Sequence, residues 1–317
     1  MWPVRVRLPH GLVHFSGVIP VTLLRTLLAA VPFAVVLAGC GGSVEPAHVQ
    51  RTGLKVPADW PEIVTAADSD WTPEEVRALN AALYLVESSL APDDPRRSLM
   101  RVAPYVPSDR MPADDGPLPE DIEGVFSVRS GNVYLNRPRP ADVPALASLL
   151  AHELHHMERD RTSSVNRMQE VDRERIAHAR EAEDAGRMLE LLRARSSDPA
   201  TLGALELAQA KTRALAAMYT AKFELFRLVQ ALDKVEGLKQ MAELYGLYEE
   251  CIRLAQGKLS TDHGEELRLL DAFSRAASGT PVQEPIADAL ARVRAAVTAC
   301  ASPQAKVDEL RARTGRR

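Results

Sequence analysis

Aromatic residues, cysteine and charge imbalance are all scarce in this chain. Phe, Trp and Tyr make up 5% of its 317 residues, which disfavours a sheet-dominated fold, because aromatic and β-branched side chains are those that pleated surfaces pack best. Three Cys exclude a disulfide-built scaffold. The net charge of −4, from 39 Lys and Arg against 43 Asp and Glu, creates no field that would gather nucleic acid. No basic patch with interleaved aromatics appears either, so no nucleic-acid partner is expected. No sequence repeat suggests a solenoid. What is present is ordinary for a folded chain: 46% apolar and 26% charged residues, rich in Ala and Leu. The length fits roughly two domains, and the composition favours helix.

The segment Thr26–Ala38 carries no charge and follows Arg25, with Arg5 and Arg7 upstream. It is too short for the ~20 residues that cross a bilayer as a helix, and Pro32 interrupts it. It ends in Leu37-Ala38-Gly39-Cys40, which resembles the lipobox of bacterial lipoprotein signal peptides. The resemblance implies that residues 1–39 are a signal peptide and that Cys40 is acylated and becomes the mature amino terminus, anchoring the chain to a membrane of the bacterial envelope. Gly41 rather than Asp follows the Cys, so the family's rule for inner-membrane retention is not met. The outer membrane, facing the periplasm or cell surface, is the expected destination. An ordinary secretory signal with an adjacent Cys is the alternative. Cys251 and Cys300 then remain as an even pair in an oxidising compartment. A bridge between them would close a loop of about 50 residues and contribute about 4 kcal/mol; two reduced, buried thiols are the other reading.

Residues 40–59 are expected to form a tether, residues 60–198 a catalytic domain and residues 199–317 a helical carboxy-terminal region. Thr72-Pro73-Glu74-Glu75 predicts a helix start with a capping box, and the proline-dense stretch 91–119 predicts irregular surface chain. Val125–Arg129 and Asn132–Asn136 flank Ser130-Gly131 as a hairpin would. A helix opening near Pro144 runs through His156, and a polar helix covers about 165–195. Long helices follow at roughly 200–233, 235–257, 262–277 and 283–312. Leu215, Met218, Phe223, Phe226 and Val229 have the spacing of bundle core. The fold class expected is α+β, mainly α, with a small sheet.

His152-Glu153-Leu154-His155-His156 contains H-E-x-x-H. Residues four apart on a helix share a face, so His152 and His156 can both offer nitrogen to one Zn2+. Glu153 stands beside the first ligand, where a general base is needed. A zinc ion would polarise a scissile carbonyl and lower the pKa of water. With eight His in the chain, chance predicts only about 0.015 such matches, and this one lies inside an apolar helical run rather than a loop. His155 points to another face and is not expected to ligate. Val133–Asn136, just upstream, reads as an edge strand with which an extended peptide could pair.

A strand followed by an HExxH helix resembles the zincin metallopeptidases. The metzincin extension would need Gly at 159 and His at 162, and Arg159 and Thr162 stand there. The gluzincin branch implies a Glu ligand on a later helix. Arg180-Glu181-Ala182-Glu183-Asp184-Ala185 is the nearest match, making Glu181 the expected third ligand, with Glu183 and Glu174 as alternatives. Asp184 is the matching candidate to orient a ligand His. It stands three residues after Glu181, whereas the family's Asp stands four after its Glu. Tyr219, Tyr245 and His178 are candidates for the group that stabilises the oxyanion; His178, one turn before Glu181, could instead replace the Glu as ligand or be a solvated helix histidine.

The resemblance covers about residues 125–190 and implies a zinc metallopeptidase acting on protein or peptide substrates. Two other classes stay open. One is a non-catalytic adaptor lipoprotein on the same scaffold. The other is a di-iron helical protein, since Glu153 and His156 also spell E-x-x-H; that class needs a second such motif, and Glu174 and His178 are four apart rather than three.

Overall fold

The computed structural model describes residues 56–65, 70–112, 123–137, 143–159, 166–195, 197–257, 259 and 263–314. The expected signal peptide, Cys40 and the expected tether as far as residue 55 lie outside the described residues.

Helix α1 (Pro73–Ser89) begins as its sequence dictates. The Thr72 hydroxyl accepts from the Glu75 N–H, and the Glu75 carboxylate accepts from the Thr72 N–H at 2.7 Å. Pro73 occupies the first turn, where its missing N–H costs nothing. The described part of the stretch 91–119, residues 91–112, departs from the irregular chain expected of it. It holds helix α2 (Arg96–Val102), strand β1 (Tyr105–Pro107) and a 3-10 turn (Ser108–Arg110). Three of its prolines sit where they break nothing: Pro95 precedes α2, and Pro104 and Pro107 flank or end β1. Buried Met100 and Tyr105 tie the segment to the core.

Strands β2 (Gly124–Phe126) and β3 (Val133–Leu135) form the expected hairpin, with Val125 opposite Tyr134. Gly131 takes the left-handed conformation, φ +74°, that the turn needs. β1 pairs parallel to β3 on its other side. The sheet order is therefore β1-β3-β2, which corrects the reading of Val133–Asn136 as an edge: β3 is central, and β2 is the edge that follows it in space. All three β3 residues are buried, as a strand covered on both sides must be.

Helices α3 (Val143–Arg159) and α4 (Arg167–Ala194) carry the candidate chemistry. Asn166 caps α4 through its side chain and Gln169. One core gathers Leu79, Leu83 and Val86 of α1, Leu150 and Leu154 of α3, and Met188 and Leu192 of α4. Helix α5 (Pro199–Leu232), capped by Asp198, contributes Leu205 to that core. Its second half, through Leu225, Leu228 and Leu232, enters a separate core. There it meets α6 (Ala242–Gln256), α7 (Gly264–Ala277) and α8 (Gln283–Ala299). The expected helix 283–312 is two helices. It breaks at Cys300, and α9 (Ala301–Thr314) packs Val307 and Leu310 against Leu207 and Ala210 of α5. Pro303, which cannot donate to a continuing α8, sits in the first turn of α9, where it is tolerated. Of the expected bundle-core residues, Met218, Phe226 and Val229 line the second core, whereas Leu215 is exposed. Cys251 and Cys300 are both free and buried in that core, so of the two readings the reduced, buried thiols hold and they act as small apolar groups.

Two ion clusters fasten the helices around the sheet. Arg96 reaches Asp94 at 2.7 Å and Asp184 of α4 at 2.6 Å, and Asp184, completely buried, also bonds Arg187. Arg96→Ala would leave Asp184 short of a partner in a dry site, and we expect it to destabilise the fold by about 3 kcal/mol, measurable by chemical denaturation. Glu87 accepts from Trp60 Nε1 and Arg101, each at 2.5 Å. Burial opposes its charge, but these bonds prevail and hold its pKa below the usual carboxylate range. A depressed pKa means that this contribution is full above the unfolded value, about 4.3, and fades as pH falls through the folded one. Glu87→Gln should therefore be less stable than the parent at pH 7, and the gap should narrow in denaturation curves taken at progressively lower pH.

Candidate functional site

The site lies where α3 faces α4, beside the β2 edge. His152 and His156, one turn apart, bring their Nε2 atoms to 3.0 Å, the rings meeting edge to face at 4.7 Å. Glu174 of α4 comes to the same point, with Oε2 3.5 Å from His152 Nε2 and Oε1 3.4 Å from His156 Nε2. These three separations, two of them to different oxygens of the same carboxylate, are close to the ~3.3 Å between ligands of a tetrahedral ion with metal–nitrogen bonds of 2.0–2.1 Å.

Glu181 stands on the opposite side of His152. Its Oε2 is 3.1 Å from His152 Nδ1 and 3.1 Å from His178 Nδ1, and its Oε1 accepts from Ser148 Oγ at 2.7 Å. An ionised carboxylate only accepts, so it fixes both imidazoles with the proton on Nδ1 and turns both Nε2 atoms away from itself. Sequence reasoning placed Glu181 with the His152 and His156 pair as third ligand. The geometry puts Glu174 at the point where those two Nε2 atoms converge and Glu181 behind His152. His152, His178 and Glu181 form a second group of metal-ligating type. Glu183 is exposed and pairs with Arg180. Asp184 does not orient a histidine; it is taken by Arg96 and Arg187, because ten residues beyond Glu174 it has turned off the helical stripe that faces α3.

Glu153 is buried, and its Oε2 accepts the Phe126 N–H at 2.6 Å. The hairpin bonds of Glu123 to Asn136 and of Ser127 to Asn132 leave the main-chain groups of Gly124 and Phe126 on the outer side of β2. A side chain at Gly124 would strike Leu135 and crowd Leu149 of α3, so glycine lets the edge lie close to the helix that carries Glu153. Ser148 and the Phe126 N–H were missed in the sequence. For Ser148 a signal existed, since Ser148, His152 and His156 recur every four residues.

Burial raises the Glu153 pKa above the usual range. For His152 burial works against the charge, but Glu174 and Glu181 override it and raise its pKa well above the ordinary imidazole value. For Glu174 and Glu181 burial likewise opposes ionisation, yet the imidazoles hold both low, Glu181 at about 2. Two ionised carboxylates thus face imidazole nitrogens across gaps that only a proton or a cation makes attractive. Two imidazoles and a carboxylate are a donor set that suits zinc. His155 is buried with Nε2 unpartnered, and burial lowers its pKa to about 4. Tyr219 of α5 stacks on His178 at 5.4 Å, and burial together with Glu174 raises its pKa to about 12. Tyr245 lies instead against Tyr248 at the second core. No family model matches this chain, and no curated protein or solved structure matches it either.

Proposed function

We propose that this chain is a zinc-dependent metallopeptidase of gluzincin type, lipid-anchored through Cys40 in the bacterial envelope, with Glu153 as general base. The observation that carries this reading is the convergence of His152 Nε2, His156 Nε2 and Glu174 next to a buried carboxylate and an edge strand. His152, His156 and Glu174 would hold the zinc. Bound there, it supplies Lewis acidity and a water of lowered pKa.

The chain's own groups do the rest. Glu153 takes and returns a proton, and its raised pKa brings its basicity nearer neutrality, where proton transfer both ways is easiest. The Phe126 N–H fixes one of its oxygens, so the carboxylate cannot swing freely. Glu181 and Ser148 lock the tautomer and orientation of His152. With the Phe126 N–H given to Glu153, the Phe126 carbonyl and the outward peptide groups of Gly124 remain to offer an extended peptide main-chain bonds of the kind β-strand addition uses. Tyr219 and His178 stand next to Glu174, the two nearest candidates to steady charge on a reacting carbonyl. The test is zinc content together with peptide-library cleavage on the purified full-length chain. One zinc per chain and cleavage that a chelator abolishes are expected; a zinc-loaded, folded chain inert on every substrate would favour an adaptor.

A further inference from the structure

We propose that Lys222 of α5 forms a subsite for a carboxylate of the substrate, so that the peptides cleaved carry a negative charge a few residues from the scissile bond; this rests on the peptidase reading above. A line of contacts leads outward from the imidazole cluster to Lys222. Glu174 Oε2 is 3.8 Å from His178 Nε2, the ring of His178 stacks on Tyr219 at 5.4 Å, and the Lys222 ammonium lies 5.9 Å from the centre of the Tyr219 ring. Tyr219 and Lys222 stand three apart on α5 and so share a face of that helix. At ~3.3–3.6 Å per residue, an extended peptide covers that line in about five residues or fewer.

Lys222 differs from the cations around it in having no anion of its own. Arg175, Arg180, Arg187 and Arg193 of α4 and Arg227 of α5 each hold a carboxylate. Lys222 is half-buried and, among the described residues, makes neither a hydrogen bond nor an ion pair. Its contact with the Tyr219 ring is at the far end of the ~6 Å over which an aromatic face attracts a cation. Burial and the neighbouring Arg167 lower its pKa, and Glu170 only partly offsets them. Arg167 directs a nitrogen to the Gln256 carbonyl at 2.8 Å rather than to a carboxylate. Two cations therefore stand here against the single charge of Glu170. A partly desolvated ammonium without an acceptor is unfavourable. An arriving carboxylate relieves that and gains a charge-assisted hydrogen bond. The side chain of Asp or Glu and the free carboxy terminus of a peptide offer the same group.

Two randomised peptide libraries, one with free carboxy termini and one with carboxamides, separate these sources on the purified, zinc-loaded full-length chain. A preference in kcat/KM of about 10–100-fold for a carboxylate over the matching amide is expected at one position relative to the cleaved bond. A preference confined to the free-terminus library assigns the carboxy terminus; one that persists in the carboxamides, Asp over Asn or Glu over Gln, assigns a side chain. Lys222→Gln should bring the ratio close to one, and Lys222→Glu should favour Lys or Arg at that position, a reversal that a merely structural role would not produce. A parent that cleaves acidic peptides and their amides equally would overturn the inference and leave the peptidase reading standing, and that comparison needs no variant. A preference that survives Lys222→Gln in a folded chain would overturn it equally. A parent that cleaves no peptide would overturn both.

Discussion

Glu153→Gln should leave zinc bound and peptide cleavage reduced on the order of 10²–10⁴-fold, the contribution of a positioned general base. The substitution keeps the shape of the side chain and keeps an oxygen for the Phe126 N–H, so β2 should stay in place. It removes only the capacity to take a proton. Thermal denaturation and metal analysis on the same sample separate this from a folding defect. Unchanged turnover would rule Glu153 out as the base, and with it the assignment of roles on α3.

The second large effect distinguishes the two acidic residues of α4. Glu174→Ala should strip zinc from the chain under a chelator that the parent withstands, because it removes the only carboxylate that meets both His152 Nε2 and His156 Nε2 among the described residues. Glu181→Gln should keep the metal and weaken its affinity by about 10–100-fold, the usual cost of losing a partner that orients a ligand histidine. Equilibrium zinc titration against a competing chelator reads both. The opposite ranking would exchange the two roles.

That pair also shows where sequence reasoning reaches its limit. Glu174, His178 and Glu181 recur at intervals of four and three, so they lie on one stripe of α4, and seven residues are nearly two full helical turns. The spacing reveals the stripe but not how far α4 is shifted along its axis against α3, and that shift alone decides which carboxylate meets which nitrogen. That His152 and His156 share a face was legible because both imidazoles belong to one helix and their separation is fixed by its pitch. The Thr72 cap and the Ser130-Gly131 turn were legible for the same reason, each being settled within a few residues. β1 was not. Its pairing with β3 joins Tyr105 to Val133, and neither segment carries a local mark of the other; proline density, a local signal, pointed the wrong way. The free thiols belong to the same class, since an even count of cysteines says nothing of how their helices face.

Helix α5 has a consequence for anyone seeking a minimal version of this molecule. One rod of 34 residues gives Leu205 to the first core, Tyr219 to the ring of His178, and Leu225, Leu228 and Leu232 to the second core. Trimming the chain before residue 199 would strip the face of α4 and bare the imidazole cluster to solvent, while trimming within the rod would leave a frayed stump with half its apolar stripe exposed. The last third is thus better regarded as a buttress than as a detachable module, and the shortest fragment worth expressing keeps it whole.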